Sequence, residues 1–140
     1  MRDKFFIDTS IIIYSFDNDT PLKKSIAVEL IKLALMRQAG CISYQVTQET
    51  LYVLIRKFQQ KLTTDDVKIF LQEVLSPLQL INPSRVLFES AIGVQSRWKF
   101  SFYDSLIIAA ALERNCNILY SEDLQHGQKI EGLEIVNPFV

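Results

Sequence analysis

Short apolar runs alternate along this chain with longer segments whose apolar residues recur at helical spacing, and that alternation constrains the fold more than any other feature. KFFID (residues 4–8), CISYQ (41–45), LQLI (78–81), NILY (117–120) and LEIV (133–136) are short and rich in β-branched and aromatic side chains, as buried strands are. The segments between them carry helix punctuation. Thr20 and Pro21 read as N-cap and first helical position before LKKSIAVELIKLALMRQA, with Gly40 as its stop. Thr47 can cap QETLYVLIRKFQQK, Thr63 or Thr64 can cap DDVKIFLQEVL, and Pro83 with Ser84 opens RVLFESAIGVQSRW. Ser101 heads FYDSLIIAAALERN, whose nearly continuous apolar run marks a helix packed on most sides. Strands alternating with helices require right-handed crossovers. The pattern predicts an α/β fold: a five-stranded, mainly parallel sheet flanked by helices on both faces in a three-layer α/β/α arrangement.

A chain of 140 residues, 49% hydrophobic and 22% charged, buries a continuous core without disulfides or a structural metal, so one domain spanning residues 1–140 is expected. Cys41 and Cys116 lie far apart with no Cys-x-x-Cys spacing, which fits reduced core residues rather than a zinc or redox motif. The N-terminus meets an aspartate before a signal-like segment forms, and no apolar run approaches the roughly 18 to 20 residues of a membrane span, so a cytoplasmic protein is expected. Fifteen basic against sixteen acidic residues argue against a protein that coats nucleic acid non-specifically, because such binding rests on many released counterions. A local basic rim around an acidic site remains compatible with that balance.

The acids are placed by topology. In a parallel α/β sheet the carboxyl end of a strand, the start of the helix after it and the start of a helix leading into the next strand share one edge. Asp8 ends the first strand, Glu49 falls in the first turn of the helix after the second, Asp104 opens the helix before the fourth, and SED (121–123) follows the fourth. Each has an ordinary explanation alone: Asp8 as cap of a short helix over 11–16, Asp104 in a capping box with Ser101, Glu49 as a favourable charge on a helix dipole, Asp123 in a turn. Together they repel, and the cluster needs protons or a cation. With His126 as the one histidine and no cysteine nearby, the donors are all oxygen, which suits Mg²⁺ or Mn²⁺ and disfavours zinc. Magnesium held by carboxylates commonly shares its other positions with phosphate oxygens, so phosphoester chemistry is the expected activity. Ser10 and Ser121 lie beside these acids and either hold a water or phosphate oxygen or act as plain capping hydroxyls.

FIDTSIII, SYQVTQETLYVL and SFYDSLIIAAALERNCNILYSEDLQHG together resemble the PIN-domain ribonucleases, in particular the VapC-type toxins of bacterial type II toxin-antitoxin systems, over essentially the whole chain. The resemblance implies a metal-dependent endoribonuclease acting on RNA, with Asp8, Glu49, Asp104 and Asp123 as catalytic and Mg²⁺- or Mn²⁺-binding acids and Ser10 as a hydroxyl partner. Asp123 fits the family's Ser/Thr-x-Asp pattern after the strand, with Ser121 beside it. Glu122 adjoins it, so either acid could face the site. A homodimer and a small antitoxin partner are implied as well.

Other groups are weighed beside these. Arg97 and Lys99, interleaved with aromatics in QSRWKFSFYD, form a basic and aromatic approach for single-stranded RNA, or else the aromatics fill core. Arg56, Lys57 and Lys61 hold phosphates or make a solvated helix face. An aspartyl-phosphate phosphatase would expect a second acid at position 10, where Ser10 stands, and a receiver domain would expect an acidic pair and a late lysine motif that the chain lacks. A non-catalytic PIN-like module that binds RNA or protein is the remaining alternative.

Overall fold

The computed structural model describes residues 3–140. The elements run β1 (Phe5–Ile7), α1 (Thr9–Tyr14), α2 (Pro21–Met36), β2 (Gly40–Ser43), α3 (Tyr44–Lys57), α4 (Thr64–Phe70, continuing into a π turn at Leu71–Leu75), β3 (Gln79–Ile81), α5 (Arg85–Trp98), α6 (Phe102–Glu113), β4 (Ile118–Tyr120), β5 (Lys129–Ile130) and β6 (Leu133–Val136). They form one sheet of order β3-β2-β1-β4-β6-β5, flanked by helices. Every pairing is parallel except β5 with β6. From β1 the chain moves outward through β2 to β3, then returns to place β4 on the other side of β1. The order therefore reverses between β1 and β4, and an open sheet forms its ligand crevice at such a point, beyond the carboxyl ends of the strands.

The sheet has six strands rather than the expected five. The sixth, β5, is two residues long and joins β6 through a tight hairpin in which Glu131 and Gly132 both have positive φ (49° and 91°), as a two-residue mirror-image turn requires. The core centres on Phe6, Ile7, Ile42, Leu119 and Ile135 of the strands and Ile107 to Ala111 of α6, all at or near full burial. The burial of α6 on most sides is the physical counterpart of its unbroken apolar sequence. Among the described residues no helix is long and apolar enough to cross a membrane. Both cysteines are buried free thiols.

Two local expectations are corrected. β2 stops at Ser43, whose hydroxyl accepts the Val46 N–H at 3.3 Å and caps α3, so Tyr44 and Gln45 are helical and Thr47 is no cap. Thr47 instead donates its hydroxyl to the Ser43 carbonyl at 3.3 Å, which moves Glu49 from the first turn of α3 into the second. Nor is Gly40 the stop of α2. That helix ends at Met36, Gln38 takes the left-handed conformation (φ 53°), and Gly40 opens β2. Gly40 is needed for closeness: a Cβ there would stand 2.2 Å from the Ala34 Cβ and 3.0 Å from its Cα. Backbone on the far side cannot yield cheaply, so Gly40→Ala is expected to cost about 1–3 kcal/mol of stability by overpacking. A urea midpoint equal to that of the wild type would contradict this packing.

Candidate metal centre

The crevice at the reversal point is an open cavity of about 660 Å³, lined by Asp8, Asp17, Glu49, Asp104, Glu122 and Asp123 and, among the described residues, by one cation, Lys57. The four acids expected at this edge come from the junction after β1, where the strand stops at Ile7 and Asp8 is the cap of α1, from α3, from α6 and from the loop after β4, and they line the same cavity. Among the described residues no three acids, histidines or cysteines are already gathered as a ready ion cage. The carboxylates surround the space instead of meeting at a point.

Asp8 is the most constrained. It caps α1, its Oδ1 accepting the Thr9 N–H at 2.8 Å, while its Oδ2 accepts the Ser121 hydroxyl at 2.9 Å. Its own N–H donates to the Tyr120 carbonyl at 3.0 Å, so backbone and side chain alike are tied across β1 and β4. Burial pushes the Asp8 carboxyl up to about 6; the bonds from Thr9 and Ser121 pull it back, and the charges of Glu49 and Asp123 add to the rise. An acid thus sits in an otherwise apolar stretch at a cost that a nearby positive charge would offset.

Glu49 accepts the Thr9 hydroxyl at 2.7 Å and the Gln45 amide at 3.4 Å, one carboxylate oxygen each. Thr9 therefore bonds two site acids, its N–H on Asp8 and its hydroxyl on Glu49. Asp104 is the third residue of α6, where the Ser101 hydroxyl accepts its N–H at 3.1 Å. No return bond completes a capping box, and among the described residues the Asp104 and Asp123 carboxylates have no hydrogen-bond or ion-pair partner. Glu122 differs: it accepts the Tyr14 hydroxyl at 2.6 Å and pairs with Lys23 at 2.5 Å. Partial burial works to raise the Glu122 carboxyl, but the Lys23 ammonium and Tyr14 hydroxyl outweigh it and hold the group below its usual range. Of the adjoining pair, Asp123 is the acid left unpaired at the cavity.

Ser10 also lines the cavity; its hydroxyl, like that of Thr20, is buried with no hydrogen-bond partner among the described residues. Unpaired buried hydroxyls cost about 1–3 kcal/mol each unless a ligand or water meets them. With carboxylate oxygens as the donors and an excess of negative charge, the residues present fit a hard divalent cation.

Arg97 and Lys99 do not line this cavity. The Arg97 guanidinium lies 5.2 Å from the Trp98 ring centroid, and Lys99 is the left-handed C-cap of α5 (φ 63°). Trp98 and Phe100 pack against the core, whereas Phe102 and Tyr103 are exposed and Tyr103 reaches the cavity wall. Of the basic residues in α3 and just beyond it, Lys57 lines the cavity, while Arg56 donates to the Tyr52 hydroxyl at 2.6 Å. His126 faces elsewhere: its Nδ1 accepts the Asn137 N–H at 2.9 Å. Thr9, Tyr14 and Lys23 are site-forming residues that sequence reasoning passed over. Only Thr9 carried a signal, as the hydroxyl directly after Asp8.

Carboxylates from separated segments, lining a crevice where the strand order of a parallel sheet reverses, define an acidic-site α/β/α protein. The PIN domain profile matches residues 5–129, and the chain belongs to the PIN domain family. A toxin-antitoxin complex from Klebsiella pneumoniae shares the fold with a TM-score of 0.69 at 22% identity, over 96% of this chain and 98% of that one. The DNA-bound VapBC of Salmonella typhimurium matches at TM-score 0.67 and 18% identity, over 96% and 97%. VapC20 of Mycobacterium tuberculosis, a Sarcin-Ricin loop cleaving toxin, matches at 0.60 and 18%, over 86% and 90%. A search of curated protein sequences finds no match.

Proposed function

We propose that this chain is a metal-dependent endoribonuclease that hydrolyses RNA phosphodiester bonds, acting as one PIN domain and as the toxin of a toxin-antitoxin pair. One observation carries the reading: carboxylates from four separate segments line one cavity. Membership of the PIN family and structural similarity to toxin-antitoxin complexes and to a toxin that cleaves the Sarcin-Ricin loop support RNA as substrate and a small antitoxin as partner. A cytoplasmic homodimer is part of the same proposal.

Asp8, Glu49, Asp104 and Asp123 would hold one or two Mg²⁺ or Mn²⁺ ions. Such an ion, when bound, lowers the pKa of water toward neutrality and neutralises charge on a phosphoryl group. The chain's own groups do the rest. Thr9 and Ser121 fix the Asp8 rotamer, and Thr9 with Gln45 keeps the Glu49 carboxylate in place to accept a proton or orient a water. Lys57 supplies positive charge at the wall for a polyanionic substrate. No protein nucleophile is required.

Incubation with structured and unstructured RNAs tests this reading. Cleavage is expected with Mg²⁺ or Mn²⁺ and is expected to vanish on addition of chelator. Cutting that continues in excess chelator would reject a metal-dependent reaction.

A further inference from the structure

From the hydrogen bonds around the loop after β4, and resting on the reading of the cavity as a metal centre, we infer that Lys23, Tyr14 and Glu122 form a brace whose task is to position Asp123. Residues 121–124 are fastened at three points. The Ser121 hydroxyl donates to Asp8 at 2.9 Å, Glu122 binds Tyr14 and Lys23 at 2.6 and 2.5 Å, and the Leu124 side chain is buried in the core. Asp123, flanked on both sides, is the one side chain of the four with no partner among the described residues.

The brace ties the loop after β4 to α1 and to the start of α2. Tyr14 ends α1, the helix that Asp8 caps, and Lys23 lies in the first turn of α2. The Lys23 ammonium stands 3.4 Å from the Tyr14 hydroxyl, 4.8 Å from the Tyr14 ring centroid and 5.4 Å from that of Phe139. Phe139 packs edge-on against Tyr14 at 5.1 Å, so the C-terminal segment backs the arrangement. The Glu122 charge is already balanced by the Lys23 ammonium, which makes it a poorer candidate for a metal ligand than the unpaired Asp123. Glu122 is well suited to hold its neighbour still. Residues that orient a ligand in this way typically change metal affinity 10- to 100-fold when removed.

Two readouts test the brace, one of them independent of metal. In Lys23→Met and Glu122→Gln, amide hydrogen exchange over residues 121–124 of the metal-free protein is expected to quicken about tenfold, as local opening becomes easier. Mn²⁺ affinity is expected to fall about 10- to 100-fold, with Lys23→Arg restoring most of both. Asp123→Asn should weaken Mn²⁺ binding without changing exchange. Exchange and affinity within twofold of wild type in Lys23→Met overturn the brace. So does loss of Mn²⁺ binding in Glu122→Gln with Lys23→Met unaffected, which would make Glu122 a ligand itself. Absence of Mn²⁺ binding in the wild type instead overturns the metal centre, and the exchange data then decide the brace separately.

Discussion

Asp104→Asn is expected to lower RNA cleavage by about 10³-fold or more while leaving the protein folded. Losing one ligand of a catalytic ion removes several kcal/mol of transition-state charge stabilisation, and each 1.36 kcal/mol is about tenfold in rate. The fold has little at stake in this carboxylate. Its cap bond is made by the backbone N–H to Ser101, which asparagine keeps, and among the described residues the side chain touches no partner. What is forfeited structurally is a favourable charge in the first turn of α6, worth about 0.3–1 kcal/mol. Single-turnover cleavage and thermal melting of the same preparation check both halves. Normal cutting by a folded Asp104→Asn protein would remove this residue from the mechanism.

Asp8→Asn is expected to do something less intuitive: abolish cleavage and yet stabilise the metal-free protein. The Asp8 carboxyl is raised from 3.8 to about 6, chiefly by burial. Because the raised value belongs to the folded state, that state holds its proton over a pH range in which the unfolded chain has already lost it. Stability from this group is therefore present below about pH 4 and declines as pH rises through about 6. At neutral pH the deficit is of order 2–3 kcal/mol, since each tenfold difference in proton affinity between the folded and unfolded chain is worth about 1.4 kcal/mol. Asparagine preserves the shape and still caps α1 through its Oδ1; its Nδ2 stands where Oδ2 accepted from Ser121, so that hydroxyl turns to accept an N–H there instead, and no charge is left to desolvate. Urea unfolding in chelator at several pH values should show the wild type weakening from pH 4 to 7 and the variant overtaking it. A variant less stable than wild type at pH 7 would mean that Asp8 serves the fold first.

Both of these acids were legible in the sequence, each by its own sign. Asp8 interrupts an apolar run, and Asp104 opens a long apolar helix, so strand-helix alternation alone sent both to one edge of the sheet. Glu49 reached that edge by the same logic even though its helix begins at Tyr44 instead of after Thr47. The error arose because Ser43 ends a strand and caps a helix at once, leaving no turn residues to mark the boundary. β5 was invisible for a different reason: two residues carry no periodicity, and its hairpin turn uses Glu131 where glycine or asparagine would have signalled it. Gly40 signals a helix stop in the sequence, whereas its importance is a missing side chain against Ala34.

The brace could not be read from sequence at all. Glu122 meets Tyr14 and Lys23 across separations of 108 and 99 residues, and neither partner has a motif. The basic residues show the same limit. Arg97 and Lys99 stand close to Asp104 in sequence but outside the cavity, while Lys57, one of a pair on an ordinary-looking helix end, lines it. Proximity along the chain was a poor guide there, because the last turn of α5 and the first of α6 point their side chains by their own helical phases.

The central claim is that Asp8, Glu49, Asp104 and Asp123 share a divalent ion, and titration of the protein with Mn²⁺ followed by electron paramagnetic resonance tests it most directly. Saturable binding is predicted in the wild type, with marked loss in Asp8→Asn and in Asp104→Asn although those residues lie 96 positions apart in the chain. A wild-type protein that leaves Mn²⁺ free, or variants that bind it as the wild type does, would contradict the account.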